Sequence, residues 1–223
     1  QVKDFEAYDF PFMFANPKEA DAVVDGPFGQ KLHAKLQDKA IVGLAYWELG
    51  FRNITNGRKP INTVEDIAGL KLRVIPNAIN VDWVKALGAN PTPLAFPEVY
   101  AALEQKAIDG QENPLTVIAA NKFFEVQKYA TLTNHQYNPQ SVLISKKFWD
   151  TLSADEKKIV ADAAVESTAY QRQQARAQRQ ATQHPGIAQG GKSAHAEPVG
   201  AAVLGTCVLT HAHHVHEIGL FHC

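Results

Sequence analysis

Hydrophobic and polar positions follow two rhythms along this chain. Residues 40–47 (AIVGLAYW) form an unbroken apolar run of strand length, followed by a turn around Gly50. Residues 71–75 (KLRVI) alternate and stop at Pro76, which predicts another strand. Short strands are also predicted at 107–109, at 126–133 and at 141–145 (SVLIS). Helical signals lie between them. Thr63 and Asp66 stand at capping-box spacing before a short helix ending at Gly69, and residues 78–87 run as a helix with Gly88 just past its end. Pro97 is placed to open a helix over 98–105, with Val99, Ala102 and Leu103 on its apolar face. Pro114 opens another helix, to about residue 121. Ser153 and Glu156 form a second capping box, before a helix reaching about residue 182. Ile159, Ala163 and Tyr170 predict its buried stripe, and at 1.5 Å per residue it is over ~40 Å long. Strands alternating with helices define an α/β fold.

At 223 residues the chain has room for one large domain or two small ones, and 45% hydrophobic residues supply a core. Lysine and arginine (22) nearly balance aspartate and glutamate (23), so no basic surface marks a nucleic-acid partner. The longest strongly apolar run is far short of the roughly 20 residues that span a bilayer, so the chain is not expected to be membrane-embedded. Both cysteines, Cys207 and Cys223, lie near the end, which leaves the redox compartment open. Beyond Gln183 the composition changes: residues 184–223 hold seven of the nine histidines and six of the 14 glycines.

No phosphate-binding loop, G-x-S-x-G, H-E-x-x-H or C-x-x-C is present, so enzymatic readings start low and no cofactor is expected. Arg73 is the sharpest candidate: a guanidinium near the end of an α/β strand faces the ligand crevice, and its fork matches a carboxylate. A solvent-facing arginine on an edge strand is the plain alternative. Arg52, after Gly50 and Phe51, is a second cation of the same kind or a surface turn residue. Asn113, in the run Gln111-Glu112-Asn113-Pro114, is either the cap of the following helix or a cleft residue. Phe96 is core packing or an apolar wall for a ligand. Trp47, Tyr46, Asn77 and His135 are weaker candidates. His211, His213, His214 and His216 have metal-ligand chemistry, but they lack the acidic partners of a built site, and no metal is assigned.

Taken in order, several segments resemble the solute-binding proteins of TRAP transporters, the DctP family. They are 45–56 (AYWELGFRNITN), 69–74 (GLKLRV), 87–93 (LGANPTP), 96–103 (FPEVYAAL), 109–114 (DGQENP), 124–129 (FEVQKY) and 133–137 (TNHQY). The resemblance runs from about residue 5 to about 178. It implies a periplasmic receptor of two lobes that closes on an organic acid and delivers it to membrane permease subunits. It also implies that Arg73 forms the carboxylate salt bridge, with Arg52, Asn113 and Phe96 lining the site. Lobe two is expected at 51–138, and lobe one at 1–50 plus 139–183 with the helix 154–182 bridging both. The amino-terminal part of lobe one is expected to be missing, and 184–223 forms a histidine-rich tail unlike the family. The ligand is a sugar acid, such as a uronate or aldonate, or a four-carbon dicarboxylate. Rival readings are a lyase or isomerase using His135 as base, and a metal-binding protein working through the tail.

Overall fold

The apolar run at 40–47 does not end at Gly50. In the computed structural model, which describes residues 2–183, it is the first half of a sixteen-residue strand, β1 (Ile41–Asn56). Gly50 has a φ of 111°, open to glycine and strained for other residues, and the ladder shifts register between Glu48 and Gly50. The predicted turn is therefore a bulge that bends the strand without stopping it. The predicted strands at 126–133 and 141–145 likewise merge into one, β5 (Tyr129–Ser145), antiparallel to β1 from Ile41↔Ser145 to Asn56↔Tyr129. The expected lobe boundaries at 50/51 and 138/139 fall inside these two strands, at the facing pair Gly50↔Asn138.

Three short strands complete a mixed sheet in the order β3-β2-β4-β1-β5. They are β2 (Lys71–Val74), β3 (Asn90–Pro93) and β4 (Gly110–Pro114). Strand β2 is parallel to both neighbours, and β4 is antiparallel to β1. The segment expected as a strand at 107–109 is a bend. It delivers the chain to β4, with the Asp109 N–H bonded to the Lys71 carbonyl. Strand β3, with its two prolines, lacks a strand signature and is tolerated because it lies at the sheet edge.

Leu72 and Val74 enter a core with Ile54, Ile67, Leu70 and the helix α1 (Ala78–Ala86) residues Trp83 and Val84. Helices α2 (Val99–Glu104) and α3 (Leu115–Ala120) build a second core from Val99, Leu103, Leu115, Ile118 and Phe123. Two helices before β1, Pro17–Asp25 and Pro27–Lys35, bury Ala20, Val24 and Leu32 against Tyr46, Phe51 and Tyr137. The sequence reading placed neither, although Asn16-Pro17 with Glu19 is a helix-start signal: Asn16 Oδ1 accepts from the Glu19 N–H.

The last helix, α4 (Ala154–Gln183), begins at its capping box, where Ser153 Oγ accepts from the Glu156 N–H and donates to the Glu156 carboxylate. Its predicted stripe is a correction: Ile159 and Tyr170 are each 67% exposed. The inward face is polar because it meets strand backbone on the side of β1 that β4 does not cover. Gln171 accepts from the Glu48 N–H (2.8 Å) and donates to the Glu48 carbonyl (2.9 Å), and Arg172 donates to the Tyr46 carbonyl (2.8 Å). Backbone groups without a strand partner need polar side chains, so apolar periodicity misidentifies this face. Arg172 also pairs with Asp25, and Arg176 with Asp21 and Glu48.

Candidate functional site

The candidate site residues gather where β2 and β4 end. Strand alternation sends Leu72 and Val74 into the α1 core, so Arg73 between them faces the other way. Arg73 is 3% exposed. Its Nε donates to the Leu94 carbonyl (2.8 Å) and its guanidinium lies 6.0 Å from the centre of the Phe96 ring. Nη1 and Nη2 make no hydrogen bond or ion pair with any described residue. Burial, opposed by Glu112 and reinforced by Arg52, brings this guanidinium down to about 10. The edge-strand alternative does not hold, because β2 lies between β3 and β4. Phe96 is 41% exposed, so it is not core packing.

Asn113 does not cap the helix after it: Pro114 holds the cap position. Its Nδ2 donates instead to Gln111 Oε1 (2.6 Å), on the strand face that also carries Arg73, since Arg73 pairs with Gln111. A relay sets the direction of these amides. Gln127 Nε2 donates to the Val126 carbonyl, which can only accept, so Gln127 Oε1 takes the Thr55 hydroxyl proton. Thr55 Oγ1 then accepts from Gln111 Nε2, and Gln111 Oε1 accepts from Asn113.

Arg52 belongs to the opposite face. It is a buried mid-strand residue, 2% exposed, not a turn residue. Its guanidinium grips the fully buried Glu112 through Nε and through Nη2 (2.8 Å), and it donates to the Glu112 carbonyl (2.6 Å) and to Asn138 Oδ1 (2.7 Å). His135 closes the cluster: Nε2 meets Glu112 Oε2 at 3.2 Å, Nδ1 meets Thr133 Oγ1 at 2.8 Å, and the ring lies against Trp83. Burial alone raises a carboxyl, but Arg52 and His135 outweigh it and hold Glu112 at about 2. Burial pushes His135 below its ordinary value against the pull of Glu112.

Asn77 caps α1 by accepting from the Asn80 N–H, and donates to Asp9 Oδ2 (2.7 Å). Asp9 also accepts from Gln136 (2.7 Å), and burial raises its carboxyl. Trp47 stands apart from both groups. It lines a cleft of about 430 Å³ between β1 and α4 with Gln140, Tyr170 and Gln174. Its buried Nε1 has no partner among the described residues. Tyr46 is structural, its hydroxyl donating to the Gly29 carbonyl (2.9 Å). Glu112 and Asp9 were not among the sequence candidates. A signal was present only for Asp9, a lone acid between the aromatic residues Tyr8 and Phe10; Glu112 lies in the polar run 111–114 with nothing to mark it off from its neighbours. The tail histidines lie outside the described residues, and among those residues no cluster of metal-ligating side chains occurs.

This mixed sheet with its covering helices, and a buried arginine on β2 with no ion-pair partner among the described residues, matches the architecture of solved TRAP periplasmic solute binding proteins. The chain belongs to the DctP family, "Bacterial extracellular solute-binding protein, family 7", which matches residues 1–202 and so runs past the composition change at 184. It is 43% identical to the 2,3-diketo-L-gulonate-binding periplasmic protein YiaO of Escherichia coli over 164 residues, 74% of this chain and 50% of that one. It is 40% identical to the C4-dicarboxylate-binding periplasmic protein DctP of Rhodobacter capsulatus over 169 residues, 76% of this chain and 50% of that one. The chain thus spans about half the length of these curated relatives. Among solved structures it matches the sugar acid binding protein DctPAm of Advenella mimigardefordensis in complex with galactonate. The TM-score is 0.88 at 43% identity, covering 95% of this chain and 67% of that one. A TRAP periplasmic solute binding protein of Polaromonas bound to D-erythronate also matches, with TM-score 0.88 and 38% identity over 96% and 71%.

Proposed function

We propose that this chain is the receptor component of a TRAP transport system, working in the periplasm. It binds an organic acid without transforming it and hands it to membrane permease subunits. The observation that carries this reading is Arg73, a buried guanidinium with Nε anchored and both terminal nitrogens unpaired among the described residues. That leaves a planar fork for one carboxylate, strengthened by low-dielectric surroundings. Phe96 forms the apolar wall and Asn113 a polar one. Arg52 and His135 support the site from the other face with Asn77 beside them, and Trp47, in the separate cleft between β1 and α4, takes no part. The named ligands of the solved relatives, galactonate and D-erythronate, are acids of this kind. Among the described residues no helix is long and apolar enough to cross a membrane, in keeping with a partner that supplies the channel.

Residues 1–50 with 139–183 and residues 51–138 form the two lobes in this reading. They are joined through the facing pair Gly50 and Asn138 and braced by α4. Ligand binding favours the closed arrangement of the two. A lyase or isomerase reading needs His135 as a free base, and both of its ring nitrogens are engaged in a buried cluster. Thermal unfolding of the full chain with D-galactonate, D-erythronate, galacturonate and succinate tests the proposal. A saturating ligand at 100 times its Kd adds about 2.7 kcal/mol, or roughly 5–10 °C for a chain of this size. A cooperative melt that no acid shifts refutes it.

A further inference from the structure

The chain from Tyr8 to Phe14 divides its side chains between two cores. Tyr8 and Phe14 lie in the core that the helices 17–25 and 27–35 build against Tyr46, Phe51 and Tyr137. Phe12, between them in sequence, packs instead against the core of Ile54, Leu72, Trp83 and Val84 beneath α1. To do so it holds a φ of 58°, in the left-handed region that a bulky side chain rarely adopts. Its N–H donates to the His135 carbonyl (2.7 Å). Backbone strain of this kind persists only where the surrounding contacts impose it.

Asp9 is the polar counterpart of Phe12. It ends a short 3-10 helix, Lys3–Asp9, whose Phe5 packs against the Tyr8 core. The Asp9 carboxylate reaches the other way, accepting from Asn77 Nδ2 at the start of α1 and from Gln136 Nε2 on β5, each at 2.7 Å. Asn77 cannot present its oxygen instead, because Oδ1 already accepts from the backbone and side-chain amides of Asn80. A carboxylate serves both amides at once, where an asparagine would serve one. Arg52 and Glu112 act on Asp9 in opposite senses, and among the described residues it has no ion-pair partner. The contact is therefore one of hydrogen bonds across the junction.

We propose that residues 8–14 are a strap across the junction of the two lobes, anchored in lobe one by Tyr8 and Phe14 and gripping lobe two through Asp9 and Phe12, so that it limits how far the lobes part. This deepens the receptor reading and rests on its two lobes. Strands β1 and β5 carry the chain from lobe to lobe, and the strap adds a contact that motion can break. Any opening that moves α1 away from the helices 17–25 and 27–35 has to strip two amides from a buried carboxylate and lift a ring out of a core. Asp9 and Phe12 are positioning residues: they act on the separation of the lobes and not on the ligand.

Spin labels on Lys31→Cys and Lys85→Cys, exposed positions on the helix 27–35 and on α1, report that separation by pulsed electron double resonance. The full chain is used, with Cys207 and Cys223 replaced by serine. Without ligand, Asp9→Ala is expected to move the distance distribution outward by about 2 Å or more. A smaller shift overturns the strap, however far the melting temperature falls, because a merely structural Asp9 would change stability alone. If Asp9→Ala does not fold, Asp9→Asn, which keeps the shape and leaves one amide unanswered, decides by the same criterion. The four acids of the thermal panel, added to the parent chain, test the two lobes separately. A parent distance that no acid changes, beside a widened variant, counts against the receptor reading alone. An unwidened variant beside a ligand-responsive parent overturns the strap alone, and no change in either overturns both.

Discussion

Replacing Arg73 with methionine separates a ligand-binding role from a structural one. The side chain is buried, and among the described residues its single bond goes to the Leu94 carbonyl and no carboxylate contacts it. In the ligand-free protein, methionine removes an uncompensated buried charge, which stabilises, and strands the Leu94 acceptor, which costs about 1–3 kcal/mol. The two offset, so stability is expected within about 2 kcal/mol of wild type. Binding is a different matter. Two free guanidinium nitrogens supply two charge-assisted hydrogen bonds at about 1.5–3 kcal/mol each. Losing about 3–6 kcal/mol weakens Kd by roughly 100-fold to 10,000-fold. Arg73→Lys retains a point charge but not the fork, and is expected to lose about half of that energy. Calorimetry with the best ligand from the acid panel, beside urea unfolding of the same variants, measures both quantities. A Kd within about threefold of wild type in Arg73→Met refutes the assignment. A stability loss beyond about 4 kcal/mol means that Arg73 is a structural pin.

Two further outcomes follow from the fold. His33 stacks on Tyr46 at 3.8 Å, and burial brings its pKa down to about 4 from 6.5. The folded state thus resists its protonation, so this residue lowers stability as pH falls from about 6.5 to 4. His33→Gln is expected to flatten urea-derived stability across that window by up to one proton's slope, and an unchanged slope contradicts the burial argument. Gly110 pairs with Asn56 where β4 enters the sheet, and a Cβ there would lie 2.2 Å from the Thr55 carbonyl oxygen, which is backbone and cannot swing aside. Gly110→Ala is therefore expected to cost about 2 kcal/mol or more in urea unfolding, and a neutral result would mean that the strands are spaced otherwise.

Patterns that depend on near neighbours in the chain were legible without the fold. The Ser153 capping box, Gly88 past its helix, the β2 run ending at Pro76 and the α/β alternation depend on residues a few positions apart, where local hydrogen bonding and φ preferences decide. The order of family segments pointed to the DctP family, which the chain belongs to. The sequence did not reveal how partners distant in the chain divide the polar residues. Gly50 marks a turn locally, yet it sits inside a strand because β5, some 90 residues on, continues the ladder past it. Ile159 and Tyr170 form a helical stripe that faces solvent, because the uncovered backbone at Tyr46 and Glu48 draws Gln171 and Arg172 inward. Above all, Arg52 and Arg73 read alike as strand arginines. Only the ladder that brings Glu112 beside Arg52, on the face Arg73 does not share, makes one a closed ion pair and the other an open cation. Residue type sets which charges exist. Strand register decides which of them are already answered.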